Sequence, residues 1–135
     1  MLSKRHLVVI AATVIIALFV VGGVYSASAN AIDGSTNDSR VSYIKRLGYD
    51  VGETALYSKE ITIPQEFGEV YSRYNEIQKK AGFDLSDYKG EKATLYCYEL
   101  SFDSGTNVNI LVSDGKIIGG DVSEISFNGE MKPLK

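Results

Sequence analysis

The stretch SDGKIIGGDVS, residues 113–123, determines how the C-terminal half of the chain folds. Asp114-Gly115 is among the strongest sequence signals for a two-residue hairpin turn, because both residues tolerate a positive φ. Strand-forming residues flank this turn, in NVNILVS (107–113) and KIIGGDV (116–122). The pattern predicts two antiparallel strands joined at Asp114-Gly115.

Gly119 and Gly120 lie inside the second of these strands. A phosphate-binding loop needs Gly-Lys-Ser/Thr, or three spaced glycines that open a helix. Here Gly120 is followed by Asp121 and the segment continues as a strand. The glycines therefore predict a β-bulge, or a place where another backbone or side chain comes close. We take Gly119, Gly120 and Asp121 as the candidate interaction surface.

The segments before the hairpin predict further strands. In residues 91–102, EKATLYCYELSF, successive side chains divide between two faces as in a strand. The turn that follows is expected at Asp103-Ser104-Gly105. Residues 49–63 are rich in strand-forming side chains and predict either one bent strand or two short ones. Together these segments predict a small antiparallel meander.

Two helices are predicted before the strand at residues 91–102, one on each side of the segment 49–63. Residues 36–47 have a capping Ser/Thr at the start, basic residues in the last turn and Gly48 after the end. Residues 65–81 repeat apolar side chains every three or four positions. The apolar positions of this second helix are Phe67, Val70, Tyr71, Tyr74, Ile77 and Ala81. The predicted fold class is α+β, a β-meander with both helices against one face.

The N-terminal segment predicts export. Residues 7–25 are 19 consecutive uncharged positions that follow Lys4 and Arg5. A retained anchor would be single-pass with its N-terminus in the cytoplasm. The alternative is a cleaved signal peptide, since Ala27-Ser28-Ala29 and Ala29-Asn30-Ala31 both fit the cleavage pattern. We therefore divide the chain into an anchor or signal segment (1–25), a linker (26–39) and an extracytoplasmic domain (40–135).

Composition argues against several chemistries. The only histidine is His6, so the predicted domain has no histidine for a catalytic triad or a zinc site. The part of the chain after Ala31 has 17 acidic and 12 basic residues, a net charge of −5, and is repelled by nucleic acid. The single cysteine, Cys97, is expected to be an inert core thiol. We predict no catalytic residue, no metal and no cofactor.

Two weaker patterns are present in the sequence. Asp103, Asn107 and Asn109 partly resemble a calcium loop, but Val108 stands where that loop needs glycine. Glu99 and Asp121 are candidates for a pair of catalytic carboxylates, which is the basis for an alternative carboxylate-based hydrolase. Sequence alone does not bring these two side chains together.

Three sequence blocks resemble a known bacterial family. They are YIKRLGYDV, EITIPQEFGEVYSRYNEIQKKAGFDLSDYKG, and LVSDGKIIGGDV with the closing FNGEM. Over about residues 41–131 the chain is similar to domain-of-unknown-function family 4830, small proteins with an N-terminal membrane segment. The resemblance implies a membrane-attached extracytoplasmic domain and carries over no catalytic residue, cofactor or substrate.

These observations lead to one expected function and two alternatives. We expect a non-enzymatic, membrane-tethered extracytoplasmic module, attached to the membrane through residues 7–25, that binds a protein or peptide partner. A secreted soluble factor released by signal cleavage is the first alternative, and the carboxylate-based hydrolase is the second. Such a binding module should expose a sheet edge or an apolar patch.

Overall fold

The hairpin predicted at Asp114-Gly115 is present in the computed structural model, which describes residues 31–126 and 128–135. Both turn residues have positive φ, 50° at Asp114 and 72° at Gly115, as a type I′ turn requires. The strands on either side pair in antiparallel fashion from Ser113 and Lys116 outward. Their register shifts by one residue where Ile118 is added on the second strand, directly before Gly119. This β-bulge was predicted from the two glycines.

The sheet is a five-stranded antiparallel meander in which each strand pairs with the next one along the chain. Its strands are β1 (Tyr57–Thr62), β2 (Lys92–Leu100), β3 (Asp103–Ser113), β4 (Lys116–Glu124) and β5 (Met131–Pro133). The two long hairpins confirm the predicted meander. The turn between β2 and β3 was placed wrongly. The chain reverses at Ser101 and Phe102, because Leu100 already pairs with Asp103.

The first helix, α1 (Asn37–Arg46), matches its prediction because its signals are local. The Thr36 hydroxyl accepts a hydrogen bond from the Ser39 amide (3.1 Å), and the Ser39 hydroxyl accepts one from the Thr36 amide (3.1 Å). This reciprocal pair is a capping box. Lys45 and Arg46 lie in the last turn, where they complement the helix dipole.

Helix α1 packs on one face of the sheet. Ile44 is fully buried in a cluster with Val108 and Ile110 of β3. The buried Arg40 donates from Nε to the Tyr98 hydroxyl at 3.0 Å, and the guanidinium stacks on the Tyr96 ring. Apolar contact and one buried cation together hold this helix in place.

The second helix, α2 (Glu69–Lys80), covers the opposite face, so the prediction that both helices share one face was wrong. Tyr71 and Tyr74 pack against a separate cluster that includes Ala93 and Leu111. Successive strand residues point to opposite faces, and Ala93 and Leu111 alternate with the residues that contact α1. Apolar periodicity identifies the buried side of a helix but does not specify which face of a sheet it covers.

Helix α2 also differs from its prediction in detail. It starts at Glu69 rather than Gln65, because the chain bends at Gln65 and Glu66 and is extended at Gly68. Phe67 in this connection packs on Tyr71 with ring centroids 4.8 Å apart. Val70 was predicted to be buried and is 82% exposed. The most buried residues of α2 are Asn75 and Gln78, which are polar. Asn75 is hydrogen-bonded to Asp84 and Leu85, and Gln78 Oε1 to the Gly120 amide, whereas Gln78 Nε2 has no partner among the described residues.

A 3₁₀ helix, Leu85–Tyr88, follows α2 and closes the same side of the core. Leu85 is fully buried. Asn75 links the two elements, since its side chain donates to Asp84 (2.9 Å) and accepts from the Leu85 amide (2.7 Å). The chain entering β2 is therefore fixed relative to α2.

The folded unit spans Ile32–Lys135 and includes part of the predicted linker. Ile32 accepts a hydrogen bond from the Ile117 amide (2.9 Å), and the Gly34 amide donates to Gly115 (2.9 Å). Residues 32–34 thus lie beside the start of β4. The predicted anchor or signal segment, the cleavage position after Ala29 and residues 26–30 of the linker lie outside the described residues. Within residues 31–126 and 128–135, no helix combines the length and apolar character needed to cross a bilayer.

Candidate functional site

A row of polar side chains crosses the sheet on the face covered by α2. The strand register places Tyr57 opposite Cys97, Cys97 opposite Asn109, and Asn109 opposite Asp121. Residues directly opposite each other in antiparallel strands point to the same face. We call these four residues the polar row. They are contributed by β1 to β4 in turn, so the row exists only when these four strands are paired.

Asp121 is the acidic member of the polar row and is only 2% exposed. Its carboxylate accepts hydrogen bonds from Asn109 Nδ2 (2.9 Å), the Tyr74 hydroxyl (3.2 Å) and the Ser123 hydroxyl. Within residues 31–126 and 128–135 no lysine or arginine forms an ion pair with it. A buried carboxylate needs such donors because it has lost its water. The contact with Tyr74 also fastens α2 to the sheet.

Tyr74 is held as a hydrogen-bond donor at this position. Burial is the largest cause that raises the pKa of its phenol, and the negative charge of Asp121 and their hydrogen bond raise it further. The phenol therefore stays protonated at neutral pH and has no tendency to act as a base. The protonated phenol favours a role for Tyr74 in holding Asp121 over a role in proton transfer.

Gln78 of α2 contacts the two adjacent glycines of β4. Its Oε1 accepts a hydrogen bond from the Gly120 amide at 2.8 Å. A Cβ atom at Gly119 would lie only 2.7 Å from the same oxygen. The close approach predicted from the glycines is thus confirmed. Because Gln78 occupies the Gly120 amide, that amide is not free to bind a phosphate oxygen.

A second feature lies at the edge of the sheet. β1 pairs with β2 on one side only, and its other side is free within the described residues. Five of its six residues are exposed and the sixth, Ile61, is half-buried. Leu56 (56% exposed) and Tyr57 (53% exposed) lie at its start. Exposed strand edges of this kind can pair with another chain.

Comparison with known proteins places the chain in a family. Residues 43–122 match the family model described as "Domain of unknown function (DUF4830)". The chain belongs to the DUF4830 family. The match begins within α1 and runs continuously into β4. It agrees with the resemblance seen in the sequence. No curated protein and no solved structure matches the chain.

The predicted interaction surface of this DUF4830 domain lies inside the fold. Gly119, Gly120 and Asp121 are all buried, and they contact α2, β3 and the C-terminal Leu134. α2 covers Gly119 and Asp121, and Leu134 lies against Gly120 on the other face. Sequence reasoning identified the close contact correctly but did not identify what makes it, because Gln78 is 42 residues away along the chain.

The strand register also shows where the candidate carboxylate pair and the candidate calcium ligands lie in the DUF4830 domain. Glu99 lies opposite Asn107, so β3 separates it from Asp121 on β4. Asn107 and Asn109 lie on an extended strand rather than on a calcium-binding loop. No cluster of three or more His, Cys, Asp or Glu side chains among the described residues is placed to hold a metal ion. Burial raises the pKa of the Cys97 thiol, while its hydrogen bond to Tyr57 opposes that shift.

Proposed function

We propose that this DUF4830 domain is a non-enzymatic interaction module, tethered to the outer side of the cell membrane through residues 7–25, that binds a protein or peptide partner. The free edge of β1 is the observation that carries the proposal. Among the described residues, its outward backbone donors and acceptors have no strand partner, and they lie next to the exposed side chains of Leu56 and Tyr57. The polar row supports the proposal indirectly, because the described hydrogen-bond partners of Asp121 come from the domain itself.

A site-specific crosslinking experiment tests the proposal. A photoreactive residue is placed at Leu56, beside the free edge, and separately at Val70 on the exposed side of α2. The full-length protein is irradiated in membranes of its own cells. We expect a defined crosslinked product from position 56 and none from position 70. Identical products from both positions, or none from either, would contradict a specific interaction module.

A further inference from the structure

One hydrogen bond between β1 and β2 identifies which backbone groups of β1 point away from the sheet. The Ile63 amide donates to the Glu91 carbonyl at 2.8 Å, and these two residues continue the β1–β2 register. In an antiparallel pair the bonded residues alternate with residues whose backbone points outward. The backbone amides and carbonyls of Tyr57, Lys59 and Ile61 therefore point toward β2. The outward amides and carbonyls belong to Ser58, Glu60 and Thr62.

The side chains of β1 divide between the two faces of the sheet. Tyr57, Lys59 and Ile61 point to the α2 side, which puts one cation between two apolar side chains. Ser58, Glu60 and Thr62 point to the α1 side. Lys59 forms no ion pair with the described residues. Glu60 lies 3.7 Å from Lys92, but both side chains are largely exposed.

This charge arrangement disfavours pairing of β1 with a second copy of itself. Two-fold symmetric antiparallel strands place the central residue directly opposite its own copy. Full overlap of β1 with its copy would be centred on Lys59 or Glu60, so two like charges would face each other. Like charges directly opposite each other destabilise a strand pair. Charged residues on an edge strand commonly serve to prevent such self-pairing.

We propose that the free edge of β1 binds an extended peptide as an additional antiparallel strand, which specifies the partner of the interaction module proposed above. The peptide carries an acidic residue opposite Lys59 and a basic residue opposite Glu60. Apolar residues lie opposite Tyr57 and Ile61, on the α2 side of the sheet. Backbone hydrogen bonds to the outward residues supply affinity, and the charge order supplies specificity.

Two peptides of identical composition test this inference on the full-length protein in detergent. The matching core, Thr-Val-Lys-Glu-Thr-Val, runs antiparallel to β1 and pairs both charges favourably. The control core, Thr-Val-Glu-Lys-Thr-Val, places like charges opposite Lys59 and Glu60. NMR titration should show shifts at the amides of Ser58, Glu60 and Thr62 with the matching peptide. We expect the control peptide to bind about tenfold more weakly.

Variants of β1 separate charge recognition from backbone recognition. The double variant Lys59→Glu/Glu60→Lys should reverse the preference and bind the control peptide better. Glu60→Pro removes an outward amide without touching the β1–β2 ladder, so it should abolish binding of the matching peptide. Glu60→Ala keeps that amide and should weaken binding only a few-fold. Spectra of each free variant confirm that the fold is intact.

Several outcomes would overturn the inference. Equal binding of both peptides, no binding of either at millimolar concentration, or self-association through β1 would each do so. The proposed function is judged separately by the crosslink at Leu56. If Glu60→Pro protein keeps that crosslink unchanged, the module has a partner but β1 does not bind it as a strand. If wild-type protein gives no crosslink, the proposed function itself is wrong.

Discussion

Adding one methyl group at Gly120 should destabilise the domain more than the same change at the exposed Gly52. A Cβ atom there would overlap the carbonyl oxygen of Asn109 on β3 and lie 2.7 Å from Cδ2 of Leu134. The Asn109 carbonyl is part of the sheet backbone and cannot move without disturbing the β3–β4 pairing. Relief of the overlap therefore requires the two strands to separate locally.

The expected cost of Gly120→Ala is about 3 kcal/mol, the upper part of the range for overpacking a well-packed core. For a folded unit of this size, such a loss should lower Tm by roughly 10–20 °C. Gly119→Ala should cost less, about 1–2 kcal/mol, because its Cβ meets the end of the Gln78 side chain rather than backbone. Gly120→Val should cost at least as much as Gly120→Ala.

Thermal melts followed by circular dichroism measure these differences directly. Gly52→Ala is the matched control, since its Cβ would make only an ordinary contact, 3.7 Å from the Thr54 carbonyl. That variant should melt at or slightly above the wild-type temperature. If Gly120→Ala melts with the control, the close contact between β4 and β3 has been misjudged. Phosphate or ATP should not raise Tm of the wild type, because Gln78 occupies the Gly120 amide.

Three further predictions concern other parts of the chain. The raised pKa of Tyr74 means that above about pH 10 the unfolded chain loses a proton that the folded chain keeps, so stability falls as pH rises. The free energy of unfolding, measured by urea melts at about pH 9 and about pH 11, should fall less in Tyr74→Phe than in the wild type. An equal fall in both proteins would argue against burial of the Tyr74 phenol. Hydrogen bonds from Asn75 and Ser86 hold the pKa of Asp84 at about 2, and Ser86→Ala should raise it toward its ordinary value in an NMR titration. An unchanged Asp84 pKa would mean that Ser86 contributes nothing. Expressed in a Gram-positive host, the full-length protein should fractionate with membranes; mature protein in the medium that begins after Ala29 or Ala31 would favour the secreted alternative.

Features set by neighbouring residues were readable from the sequence. The Asp114-Gly115 turn follows from the φ angles those residues tolerate, and α1 follows from Thr36 and its last-turn cations. The alternation in β2, β3 and β4 predicted the meander. Gly119 and Gly120 signalled a close contact, since only glycine leaves space beside a strand for another group.

The tertiary structure decided what those elements contact. Residues 65–81 have an apolar stripe, yet the most buried residues of α2 are Asn75 and Gln78. The side-chain oxygens of both accept hydrogen bonds from backbone amides outside α2, whereas Gln78 Nε2 has no partner among the described residues. The partners of Asp121 come from three elements, and no local pattern links them. Likewise, the strand-forming side chains of residues 49–63 predict a strand there but not that it lies at the edge of the sheet. Pairing order depends on contacts between residues far apart in the chain, which local propensity does not specify.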